Sequence, residues 1–229
     1  PAAEAVDILN GRIAQVYPDS GIRVIISDGI TADAAAGTDY IKLRGDAVFS
    51  QEELDVLEVH EGWVHLGTTL NGTAQPYCTF LSKGPPSATI TQEGLAVLSE
   101  VISLRSSPGR LFRLMGRVRA VTLASEGADF IEVFNYLREV GLDDEDAYQT
   151  AVRVFRGSTP TGGPFTKDIT YLKGLVLTVN YLRLTGTTLH LSSRKARRVS
   201  RNQPNGLFQP SPGNWICSVC PPLSTLTRV

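Results

Sequence analysis

Cysteine is scarce in this chain of 229 residues: three in all, too few and too odd a number for a disulfide framework. That scarcity suits a reducing compartment, and a cytoplasmic protein is the expectation. An excess of one charge is missing as well. Lys plus Arg number 22 against 23 Asp plus Glu, so the formal net charge is -1 and no chain-wide field exists to hold a nucleic acid or an anionic membrane. No apolar run approaches the roughly 18–20 residues that cross a bilayer, and the start, Pro1-Ala2-Ala3-Glu4, lacks the basic-then-apolar layout of a secretory signal. The chain starts at Pro1 rather than Met, from which a fragment or a processed form is expected. The rest is ordinary for a folded protein: 42% hydrophobic and 20% charged residues supply apolar material for one substantial core.

Helical spacing of Ala5, Ile8, Leu9, Ile13 and Val16 predicts an amphipathic helix over 3–17, ended by Pro18. The β-branched or aromatic stretches 22–27 and 40–43 predict two strands, with the small-residue segment 32–37 as the loop between them. Ser50 and Glu53 form a capping-box pattern that opens a helix from Gln51 to about Leu70, with Asn71 turning its end. Residues 72–90, with Gly84, Pro85 and Pro86, read as a loop. Five helical patterns follow: 96–104, 111–121 behind Pro108-Gly109, 130–137 stopped at Gly141, one capped by Asp143 or Asp144 and reaching Phe155, and one capped by Asp168 and ending near Leu184. The expected fold is α+β and predominantly helical, with a small sheet near its start.

The expected domain runs over 1–185, and 186–229 reads as an irregular tail. In that tail Arg194, Lys195, Arg197, Arg198 and Arg201 crowd together before Pro204, Pro210, Pro212, Pro221 and Pro222. The cluster reads as a solvated face without aromatic platforms, so no nucleic-acid partner is expected, and no membrane partner either. Cys217 and Cys220 form an isolated pair without the second pair that a closed zinc site needs. His190 has no acidic or cysteine neighbour in sequence to make it a ligand.

The informative segment is Val59-His60-Glu61-Gly62-Trp63-Val64-His65, which holds two of the three histidines around one glutamate. Zinc peptidases commonly place two histidines four apart, on one face of an α-helix. Here the separation is five, which at roughly 100° per residue turns the second imidazole about 140° from the first. An α-helix cannot chelate that way, whereas a π-bulge brings residues five apart into near register. Gly62 eases such a distortion. Two imidazoles supply two of the three protein ligands of a catalytic Zn²⁺, so a carboxylate must come from elsewhere. Glu93, in Gln92-Glu93-Gly94-Leu95-Ala96, is the candidate; its position in the first turn of the next helix also suits a glutamate favoured by the helix dipole. Glu61 points to another part of its helix than His60 and can stand behind a metal-activated water. The alternative for the two histidines is a pair of surface side chains that meet nothing.

Several blocks occur in one order: His60-Glu61-Gly62-Trp63-Val64-His65, Asn71-Gly72, Leu81-Ser82-Lys83-Gly84-Pro85-Pro86-Ser87, Gln92-Glu93-Gly94-Leu95-Ala96 and Phe165-Thr166-Lys167-Asp168-Ile169-Thr170-Tyr171-Leu172-Lys173-Gly174. Over approximately residues 1–184 the chain resembles the bacterial proteins described by a "QEGLA motif", which are similar to the eukaryotic microtubule-associated tyrosine carboxypeptidases. The resemblance implies a zincin-like metallopeptidase domain with a small β-sheet before the metal-binding helix. It implies His60, His65 and Glu93 as Zn²⁺ ligands and Glu61 as general base.

The expected function is zinc-dependent peptide hydrolysis of carboxypeptidase type, acting on a peptide or protein carboxy-terminal tail. Tyr171 is the candidate donor to the oxyanion. A substrate carboxylate asks for a cation, for which Arg153, Arg156, Lys167 and Lys173 are candidates and Arg156, able to grip bidentately beside Gly157, leads. The alternative from another class is an inactive, metal-stapled protein-binding module of the same fold.

Overall fold

The computed structural model describes residues 1–30 and 32–184. The basic cluster 194–201, His190, Cys217 and Cys220 lie outside the described residues. The described residues fall into two compact units, one formed by Pro1–Pro86 with 182–184, the other by Ser87–Tyr181.

In the first unit Ala2, Ala5, Leu9 and Ile13 recur at helical spacing, and all are buried along one stripe of α1 (Ala2–Val16). Strands β1 (Arg23–Ile26) and β3 (Tyr40–Leu43) form where the β-branched and aromatic stretches predict them. They pair in parallel, Val24 opposite Ile41. The sheet has a third member that the sequence reading misses. Residues Ala34–Ala36, read as loop, form β2 and pair antiparallel with β3, giving the order β1-β3-β2. Alanine has little strand preference of its own. The strand exists because the Gly37 amide donates to the Tyr40 carbonyl at 2.8 Å and folds the alanines back along the edge of β3. Leu9, Ile13, Val24, Ile41, Leu43, Leu54 and Leu66 close the core.

Ser50 caps α2 (Gln51–Leu57) through the expected capping box with Glu53. The helix then widens into a nine-residue π-helix, Glu58–Leu66, and narrows again as α3 (Gly67–Thr73). The helical path therefore outruns the predicted end, and Asn71 lies inside α3 rather than at its cap. Segment 72–90 is also more ordered than a loop. A 3₁₀ turn, Thr79–Lys83, packs against α3 so closely that a β-carbon on Gly72 would overlap the backbone of Leu81 and Ser82. The next helix, α4 (Pro86–Ile102), starts at the second proline, inside the stretch read as a loop. Proline suits that place, since its fixed φ matches the helix and its missing N–H is not needed in the first turn.

In the second unit, α5 (Pro108–Ser125), α6 (Phe130–Glu139) and α7 (Asp144–Val154) follow the predicted pattern. Caps come from Ser107, Asp129 and Asp143. Val121, Val133, Leu137, Ala147, Ala151 and Val154 fill its core. A 3₁₀ turn, Thr166–Asp168, leads into α8 (Ile169–Leu184). The backbones of α4 and α8 touch where Gly94 meets Gly174: a β-carbon on either would collide with main-chain atoms of the other helix. This contact sets Glu93 on α4 close to the start of α8. The architecture is predominantly helical with one small sheet, and no described helix is long and apolar enough to cross a membrane.

Candidate active site

The π-helix turns widely enough to bring residues five apart toward one face. His60 and His65 face each other with ring centroids 5.0 Å apart and planes inclined by 67°. His60 is buried and His65 half-buried. The His65 carbonyl accepts from the hydroxyls of Thr68 and Thr69, both at 3.0 Å, at the point where the helix narrows again. At the middle of the segment Tyr17 Oη donates to the Gly62 carbonyl at 3.2 Å. Burial pushes the Tyr17 phenol up to about 12, so it is a proton donor at any ordinary pH.

Glu61 reaches the edge strand of the sheet. Its Oε2 accepts the Ala36 backbone amide at 2.9 Å. Edge strand β2, absent from the sequence reading, thus orients the candidate base. The signal for it was a backbone N–H, which no side-chain pattern displays.

Glu93 is 4% exposed. With α4 starting at Pro86, it lies beyond the first turn, so the helix dipole does not account for a buried carboxylate there. Its Oε1 meets Lys167 Nζ at 3.2 Å. Burial alone would pull the Lys167 ammonium down, but the neighbouring Tyr171 and Glu93 outweigh it and the net shift is upward. Tyr171 is raised above the ordinary tyrosine value, first by burial and then by the Glu93 charge, so its hydroxyl keeps its proton at neutral pH.

Beside this group stands an ion pair that no local pattern announces. Asp168, 1% exposed, receives Arg153 Nε on both carboxylate oxygens at 2.9 and 2.6 Å, and Arg153 Nη2 reaches Tyr171 Oη at 3.5 Å. Burial would lower Arg153, yet the bond and charge of Asp168 carry its pKa above the usual value. Arg117 goes the other way, lowered by burial and then by the Arg153 charge. Its Nε is buried without a hydrogen-bond partner among the described residues. Of the other predicted substrate cations, Arg156 lies over the Phe165 ring at 4.3 Å from its centroid, and Lys173 is exposed on α8.

One ligand atom from each of His60, His65 and Glu93 lies within 4.8 Å of the others, and this group could hold a metal ion. Two imidazoles and a carboxylate form a donor set that suits zinc chemistry. A search of curated proteins finds no match to the chain. The family model described as microtubule-associated tyrosine carboxypeptidase matches residues 1–193. By that match the chain belongs to the microtubule-associated tyrosine carboxypeptidase family.

Proposed function

We propose that the chain is a zinc-dependent peptidase that removes residues from the carboxy-terminal end of a peptide or protein tail, with 1–185 as its zincin-like catalytic domain. The observation that carries the reading is the His60, His65 and Glu93 group, whose ligand atoms converge within 4.8 Å. The family's description as a carboxypeptidase supports the reaction type and makes a terminal tyrosine the first side chain to test. The cysteine usage supports a cytoplasmic setting.

Under this reading His60, His65 and Glu93 would hold the zinc ion, which would supply Lewis-acid polarisation of the scissile carbonyl and a water of lowered pKa. Glu61 takes the proton of the attacking water and passes it to the leaving amine. The Ala36 amide holds one carboxylate oxygen of Glu61, which fixes the direction of the other. Tyr171 donates its hydroxyl proton to the developing oxyanion. The bond that Tyr171 accepts from Arg153 polarises its own O–H and makes it a better donor. Lys167, 3.2 Å from Glu93, stands beside the proposed ligand group and joins Arg156 and Lys173 as a candidate to meet a substrate carboxylate.

The test is Glu61→Gln assayed on peptides with free carboxy-terminal ends. Turnover falls by about 10²- to 10⁴-fold while metal content stays unchanged. Undiminished turnover with metal retained removes Glu61 as the base. An unaltered chain that binds metal but cleaves no member of a broad peptide panel would instead favour the metal-stapled binding module.

A further inference from the structure

Nine consecutive residues in π geometry are unusual, since such turns mostly occur singly. Something must hold the wide register against relaxation to an α-helix. The contacts come from α1. Arg12 Nη1 lies 2.8 Å from Asp55 and 3.2 Å from Glu58, the first residue of the π-helix. One residue on, Ile13 packs so tightly on Gly62 that a β-carbon there would stand 2.5 Å from Ile13 Cδ1. One turn later, Tyr17 Oη bonds to the carbonyl of the same Gly62. A carbonyl oxygen has two lone pairs, and a second donor outside the helix favours the outward tilt that lengthens its bond along the helix axis.

We infer that Tyr17 is a positioning residue: its hydroxyl pins the Gly62 carbonyl, holds the π register, and so sets His60 and His65 to act on one ion. The consequence follows from the geometry. Relaxing this segment to α register turns His65 about 140° away from His60. Tyr17 acts through the Gly62 carbonyl, on the backbone between the two histidines. Its importance for metal binding rests on the zinc reading above, whereas its hold on the π-helix does not.

The experiment compares the full chain with Tyr17→Phe, which deletes one oxygen, and with Asn10→Ala. Asn10 also bridges α1 to backbone, at Val24 rather than at the π-helix, with bonds of 2.8 and 3.1 Å. It therefore reports what a comparable lost bond on α1 does to the same unit. Two readouts are taken: zinc affinity by chelator competition, and amide hydrogen exchange across 58–67 in the metal-free chain. The inference predicts about tenfold or greater loss of zinc affinity in Tyr17→Phe, the scale of lost support around metal ligands. It also predicts faster exchange over 62–67, with Asn10→Ala close to the unaltered chain in both. Unchanged affinity and exchange in Tyr17→Phe overturn it. Equal losses in both variants also overturn it, because the effect is then general stability. If the unaltered chain binds no zinc, the zinc reading fails, and the exchange comparison still decides whether Tyr17 holds the π-helix.

Discussion

Replacing Gly94 by alanine sets two effects of opposite sign against each other. Gly94 sits inside α4, where alanine is favoured over glycine by about 1 kcal/mol on helix propensity alone. Against this stands the contact with α8: a methyl group at Gly94 would overlap the Gly174 backbone, and that backbone cannot swing aside as a flexible side chain can. Overfilling a packed contact costs typically 1–3 kcal/mol, and a main-chain collision belongs at or above the top of that range. The net expectation is a loss of about 2–3 kcal/mol. At roughly 2–4 °C per kcal/mol for a chain of this size, Tm falls by about 4–12 °C. The assay is thermal and urea unfolding of the full chain beside Gly116→Ala, another helical glycine, whose β-carbon would meet only Leu137 Cδ2 at an ordinary 3.9 Å. Gly116→Ala is expected to be neutral or stabilising. If Gly94→Ala is as stable as the unaltered chain, the close crossing of α4 and α8 is wrong, and with it the account of why Glu93 lies beside Lys167 and Tyr171.

Asp168→Asn removes the carboxylate that Arg153 holds at 2.6 and 2.9 Å and leaves a partly buried guanidinium unpaired; a loss of about 3–5 kcal/mol in denaturant unfolding is expected. Less than about 1 kcal/mol would mean that the pair is solvated. Tyr17 predicts an alkaline effect. Its folded pKa is raised to about 12 from 10.0, so the folded state holds the proton more tightly. The associated stability is intact below pH 10 and falls as pH rises from 10 toward 12. Linkage gives at most about 1.4 kcal/mol per pH unit, reduced to roughly 1–2 kcal/mol in total because the ring is only partly buried. Subtracting the pH profile of Tyr17→Phe isolates this term, and parallel profiles would refute it.

The parts of the fold legible in the sequence are those whose cause is local. The helical stripe of Ala5, Leu9 and Ile13, the capping box at Ser50 and Glu53 and the Asp143 cap each lie within a few residues of the structure they specify. Misreadings occur where tertiary contact decides. Ala34–Ala36 become a strand because β3 offers an edge. Pro86 is a different case: a Pro-Pro pair reads as a breaker, yet proline suits the first position of a helix on local grounds. At the site, the five-residue gap between His60 and His65 was informative because an α-helix cannot satisfy it, and the π-helix is its answer. Counting ligands points to Glu93, which shares with the two histidines a group that could hold a metal ion. Arg153 and Asp168 are fifteen residues apart, and the Ala36 amide and Tyr17 act on residues from distant parts of the chain. No periodicity marks such partners.

The central claim is that His60, His65 and Glu93 hold one metal ion. Elemental mass spectrometry of the purified full chain tests it most directly, after zinc is offered at neutral pH and excess metal is removed, beside His60→Ala, His65→Ala and Glu93→Gln. The account predicts about one zinc per unaltered chain and a large loss in each variant, with circular dichroism showing the helices retained. An unaltered chain without stoichiometric metal, or variants that keep theirs, would contradict it.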